Sequence, residues 1–92
     1  MTPSHKAILF GLVLARLAPY QKRMLPNHDL WIKYDSTGDV LDRIDISAHK
    51  WDYDTGNILD FKYFVYRLEA RPKISVNTFI DNVIEELKPF YN

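Results

Sequence analysis

The hydrophobic positions of this chain change period along its length, and each change predicts an element. Between residues 4 and 18 the large apolar residues are Ile8, Leu9, Phe10, Leu12, Val13, Leu14 and Leu17, set among alanines that favour a helix. Ser4 can cap that helix, and Pro19 is expected to stop it, because proline disfavours helical geometry in the residue before it. The apolar residues run nearly all the way round the helical wheel, so the helix needs cover on more than one side, from the rest of the fold or from a second chain. Leu9, Phe10 and Val13 are the candidate contacts of a homodimer formed through it.

Residues 19–28 form a polar connection between Pro19 and Pro26, after which Trp, Ile, Tyr, Val and Phe recur between turn signals. Strands are expected near 29–35, 39–46, 49–53 and 57–69. A near-repeat runs through this region: YDSTGDVLD, from Tyr34 to Asp42, recurs one residue shorter as YDTGNILD, from Tyr53 to Asp60. It reads as a duplicated strand-turn-strand unit, with Gly38 or Gly56 supplying the positive φ of a tight turn and aspartates holding it. In the last strand Phe61, Tyr63 and Val65 share one face and Phe64, Tyr66 and Leu68 the other, which predicts a central strand apolar on both sides. The 39–46 strand sets Val40, Asp42 and Ile44 against Leu41, Arg43 and Asp45, so one of its faces is expected to be wet.

Pro72 ends the sheet, and Ser75 or Asn77 caps a final helix over 76–88. There Val76, Phe79, Ile80, Val83, Ile84 and Leu87 make an amphipathic stripe, with Asp81, Asn82, Glu85 and Glu86 opposite and Pro89 closing the helix. The expected fold is α+β: an antiparallel four-stranded meander flanked by an N-terminal and a C-terminal helix, in the order α-β-β-β-β-α, as a single domain over residues 1–92.

Composition narrows the function classes. The 92 residues, 47% hydrophobic, suffice for one core, and a chain of this size buries only about 60–65% of its unfolded surface, which favours a partner subunit. Without cysteine there is no disulfide framework, thiolate metal site or thiol nucleophile. The longest apolar run, Ala7 to Ala15, is nine residues, far short of the roughly 20 that span a bilayer. Arg16 interrupts it and no small-residue cleavage pattern follows, so it reads as neither anchor nor secretory leader. A cytoplasmic protein of a bacterial host cell is expected.

Net charge is zero but unevenly placed. Residues 1–28 carry Lys6, Arg16, Lys22 and Arg23 and no acid, whereas residues 29–60 carry eight aspartates against Lys33, Arg43 and Lys50. Such asymmetry is either self-complementary within the fold or shows an acidic face to a partner. Asp52, Asp54, Gly56, Asn57 and Asp60 resemble a calcium loop in composition only, since Gly56 and Tyr63 stand where the fifth and twelfth ligands belong. A hairpin turn accounts for them, and neither metal nor cofactor is expected. His5, His28 and His49 lack the spacing of paired ligands; His49, near Asp45 and Asp52, is the one candidate acid or base, with no nucleophile or phosphate loop beside it. No enzyme is expected.

Two surfaces remain as binding candidates. Tyr20, Lys22 and Arg23 with Tyr66, Arg67, Arg71 and Lys73 would suit a single-stranded nucleic acid, although the aspartates would repel phosphate. Asp35, Asp39, Asp42, Asp45, Asp52 and Asp54 serve as turn formers or, beside Trp31, Trp51 and Tyr53, as a protein-binding surface whose carboxylates meet a basic partner.

The stretch LWIKYDSTGDVLDRIDISAHKWDYDTGNILDFKYFVYRL, with Trp51 and the closing Tyr66 and Arg67, resembles a pattern of small accessory proteins of bacteriophages. The resemblance implies a host-takeover or anti-defence protein, such as an anti-CRISPR or anti-restriction inhibitor. The leading expectation is therefore a dimeric, non-enzymatic inhibitor that docks its acidic hairpin region on a larger protein with a basic surface. The alternatives are a nucleic-acid-binding module using the basic N-terminal segment, and an antitoxin or immunity protein.

Overall fold

The computed structural model describes residues 2–36 and 42–92. Helix α1 (Pro3–Lys22) is capped by Thr2, whose Oγ1 accepts the His5 N–H at 3.1 Å and whose carbonyl takes the Lys6 N–H at 3.0 Å. Pro3 fits the first turn because its missing N–H would have had no partner there. The helix thus starts before Ser4, and it also runs through Pro19 instead of stopping at it. The proline removes one backbone bond, and the turn holds because its neighbours are engaged: Leu17 is fully buried, Tyr20 packs against the core, and the Gln21 amide donates to the Leu30 carbonyl at 3.0 Å.

Strands β1 (His28–Asp35), β2 (Arg43–Asp52) and β3 (Asn57–Arg67) form one antiparallel sheet in the order β1-β2-β3. The fold is α+β as expected, but with three strands, which overturns the four-stranded reading. The expected strands 39–46 and 49–53 meet in β2, which runs unbroken through Ser47 and Ala48. Those small residues look like a gap in sequence, yet they keep the alternation: Ile44, Ile46 and Ala48 point into the core and are fully buried, while Asp45, Ser47 and His49 point away. The two near-repeats are the two connections of a meander that share this strand. In the second, Gly56 takes φ 75° and its N–H bonds the Asp52 carbonyl at 2.7 Å. Gly38 and residues 39–41, with Asp39 and the first part of the expected 39–46 strand, lie outside the described residues.

A second correction concerns position in the sheet. Residues 57–67 are an edge strand and β2 is the centre. Apolar residues on both faces of β3 do not mean burial on both, because helices cover only one face.

Helix α2 (Val76–Glu86) is capped by Ser75, whose Oγ accepts the Thr78 N–H at 3.1 Å, and gives way to a 3-10 turn over Lys88–Phe90. Val76, Phe79, Ile80, Val83 and Leu87 are buried, as the stripe predicts, with Asp81, Asn82, Glu85 and Glu86 exposed. Val13 and Leu17 of α1, this stripe, and Leu30, Ile44, Ile46, Ala48 and Tyr66 of the sheet form one cluster. The two helices are joined by Arg16, whose guanidinium bonds Asp81 Oδ1 at 2.6 Å and Asn77 Oδ1 at 3.2 Å. The C-terminal residues pair back on the segment after α1, Asn92 N–H to the Arg23 carbonyl at 2.9 Å, and Arg23 lies over the rings of Tyr20 and Tyr91.

The N-terminal helix is covered along Leu9, Phe10, Leu12, Val13 and Leu17 and leaves Ile8 (67% exposed) and Leu14 outside. Of the residues expected at a dimer contact, Val13 has no exposed surface and belongs to the chain's own core, and Leu9 and Phe10 pack against that core half-buried. Among the described residues no helix is long and apolar enough to cross a membrane.

Candidate functional site

With both helices on one side, the other face of the sheet is uncovered, and the strand register lays out what it carries. Cross-strand neighbours on that face form four rows: Asp29, His49 and Phe61; Trp31, Ser47 and Tyr63; Lys33, Asp45 and Val65; Asp35, Arg43 and Arg67. Two aromatic rows lie toward the second hairpin and two charged rows toward the first.

In the aromatic half Trp31, Phe61 and Tyr63 are 61%, 63% and 53% exposed, and Ile58 beyond a bulge between Lys50 and Trp51 is also exposed. Single exposed apolar groups are ordinary, but adjacent ones on a rigid sheet make a patch of the kind that binds. Asp29 organises it from below. Its Oδ1 meets His49 Nδ1 at 2.9 Å and its Oδ2 accepts the Trp51 indole N–H at 2.8 Å. Since a carboxylate only accepts, His49 carries its proton on Nδ1. The imidazole in turn lies 5.9 Å from the Trp31 ring, edge to face, and 5.6 Å from that of Trp51. The residues that orient the aromatics are therefore fixed by hydrogen bonds rather than by burial.

In the charged half, Arg43 binds Asp35 at 2.9 Å and Asp45 at 3.0 Å, and the Tyr63 hydroxyl donates to Asp45 at 3.0 Å. Asp45 raises the Arg43 pKa, and burial, with the Asp45 bond second, raises that of Tyr63. Three acids (Asp29, Asp35, Asp45) face three cations (Lys33, Arg43, Arg67), so with His49 neutral the face has no net charge.

The aspartates expected to form one acidic surface are divided by the fold. Asp42 lies on the helix side, where it binds Lys6 at 3.0 Å and accepts the Tyr34 hydroxyl at 2.5 Å; those two bonds, Tyr34 first, lower its pKa, and the Tyr34 pKa is raised to about 12. Asp35 and Asp45 share Arg43. Asp52 and Asp54 sit in the second hairpin, where Asp52 Oδ1 accepts the Asp54 N–H at 3.0 Å, with Tyr53 exposed beside them. Asp39 is not among the described residues. Trp31 and Trp51 do come together, on the open face, and Tyr53 stands at the hairpin tip.

Sequence reasoning missed Phe61 and Tyr63, which it assigned to a core, and the role of Asp29. The sequence held no signal for that exposure, because two helices can take one face of a sheet or one each, and only their placement leaves Phe61 and Tyr63 uncovered.

Chemically, Asp29 and His49 form an acid-oriented imidazole, the base half of nucleophilic machinery, and among the described residues no hydroxyl hydrogen-bonds to it. Among the described residues no group of three or more His, Asp or Glu is placed to hold a metal ion. Neither a protein-family model, a curated protein nor a solved structure matches this chain.

Proposed function

We propose that this protein is a non-catalytic binding module that captures a partner protein on the aromatic half of its open sheet face and acts by occupying that partner's surface. The observation that carries the reading is the adjacency of Trp31, Phe61 and Tyr63, each more than half exposed, on a sheet whose opposite face is anchored in the core. Covering them contributes roughly 1–2 kcal/mol gross per side chain, enough to anchor an interface whose rim contributes specificity. The charge balance favours a protein over a nucleic acid: phosphates need net positive charge, and Arg43 is already held by two aspartates. The same balance moves the docking surface from the aspartates to the aromatics, because Asp35, Asp42 and Asp45 are paired within the chain. Lys33 and Arg67, which make no ion pair among the described residues, supply the rim. The target class is the one that the bacteriophage resemblance implies, a host defence or nucleic-acid-processing protein, and an antitoxin would use the same surface on a toxin.

The test is affinity capture from nuclease-treated bacterial lysate at two salt concentrations, comparing the native chain with Trp31→Ala/Phe61→Ala and with Asp52→Lys/Asp54→Lys. The native chain and the hairpin variant should enrich the same protein, and the purified protein should bind the aromatic variant at least roughly tenfold more weakly. Undiminished binding by the aromatic variant would overturn the reading, as would capture that disappears with nuclease.

A further inference from the structure

The two edges of the sheet are treated differently. In an antiparallel strand, successive residues direct their backbone N–H and C=O to opposite sides. The Trp51 N–H donates to the Asn27 carbonyl and the Leu68 N–H to the Asp42 carbonyl, which sets the parity of the sheet as far as the bulge in β3 at Leu59. On β1 the even residues face outward, and the outward carbonyl of Leu30 is capped by Gln21 of α1. On β3 the odd residues, Phe61, Tyr63 and Val65, face outward.

That second edge is bare. Between Leu59 and Val65 the one outward backbone group with a partner among the described residues is the Phe61 N–H, held by its own neighbour Asp60 at 2.9 Å. Beyond Val65 the next outward carbonyl, that of Arg67, is taken by the Glu69 N–H at 3.0 Å. The regular free stretch therefore runs over residues 60–65, starting at the bulge where Lys50 faces Asp60 but Trp51 faces Ile58. Long unprotected edges are templates for another strand.

We infer that β3 pairs with β3 of a second copy of this chain, antiparallel about a twofold axis at Phe61, to make a continuous six-stranded sheet. The inference concerns the edge of the sheet, and its test leaves Trp31 and Phe61, on which the proposed function rests, unchanged. What selects the second copy as occupant is self-complementarity. A twofold axis at Phe61 sets Asp60 opposite Lys62 of the second copy and Lys62 opposite its Asp60, at the closer, non-hydrogen-bonded spacing of the ladder, where side chains interact best. Neither residue has an ion pair among the described residues, and Asp60 need only release the Phe61 N–H. An axis at Lys62 would oppose two lysines, and axes further along lose the ion pairs and run into the closed part of the edge. The chosen register also sets Phe61, 63% exposed in the single chain, against its own copy. The aromatic halves of the two open faces then adjoin across the axis, as an isologous interface requires.

The test is a charge swap read by sedimentation equilibrium up to high-micromolar concentration, with circular dichroism to confirm that each variant is folded. The native chain should dimerise. Asp60→Lys opposes lysines and Lys62→Asp opposes aspartates, so each alone should weaken dimerisation roughly tenfold, and the double variant Asp60→Lys/Lys62→Asp should restore it to near the native value. Since both residues lie at the surface, all three variants should keep the native spectrum. A native chain that stays monomeric throughout, or a dimer indifferent to the single reversals, would overturn the inference.

Discussion

Asp29 and Trp51, on neighbouring strands, are joined by an indole N–H to carboxylate bond of 2.8 Å, and the second oxygen of the same carboxylate holds His49 at 2.9 Å. One acid thereby fixes two of the rings beneath the aromatic patch.

Asp29→Ala should leave both donors without their acceptor and cost about 1–2 kcal/mol in urea unfolding, with a red shift of tryptophan emission as Trp51 loosens. Asp54→Ala, at the exposed hairpin tip, should stay within about 0.5 kcal/mol of the native chain. Equal effects at the two positions would show that the Asp29 bonds carry no structural weight.

The Tyr34–Asp42–Lys6 contact makes stability depend on pH at both extremes. Asp42 has its pKa lowered on folding, so its contribution is present above the ordinary carboxylate range near pH 4 and is lost as pH falls through the folded value. Tyr34 has its pKa raised to about 12, so its contribution is present below its ordinary value near 10 and fades as pH rises from there toward 12. Tyr34→Phe should flatten the alkaline limb of the stability profile and remove one late-titrating tyrosinate from an absorbance titration.

Side chains of α1 should separate sharply by direction. Leu17→Ala empties a fully buried position and should cost about 2–5 kcal/mol, while Ile8→Ala, at a residue 67% exposed, should shift the thermal midpoint hardly at all. Should Ile8→Ala prove as damaging in the monomer as Leu17→Ala, the assignment of the covered side would fail.

Gly56→Ala isolates a backbone effect. Nothing lies within 4 Å of an added Cβ, so the cost comes from φ 75° alone and should be about 1 kcal/mol by denaturant midpoint.

Local chemistry carried a long way in this chain. The capping serine and apolar stripe of 76–86, the positive φ at Gly56, and the strand character of 29–35 follow from residue type and spacing, because they depend on groups a few positions apart. So does the exclusion of thiol chemistry. Tertiary structure alone decided the rest. Ser47 and Ala48 look like a break until the core shows that Ala48 must be small and Ser47 faces outward. Pro19 looks like a stop until Leu17, Tyr20 and Gln21 are seen to hold the turn on both sides of it. Phe61 and Tyr63 look buried because they are apolar, and whether an apolar residue is covered depends on which face the helices take. The aspartates read as one surface in sequence and were split among Lys6, Arg43 and a turn, since strand pairing, not sequence proximity, sets which charges meet.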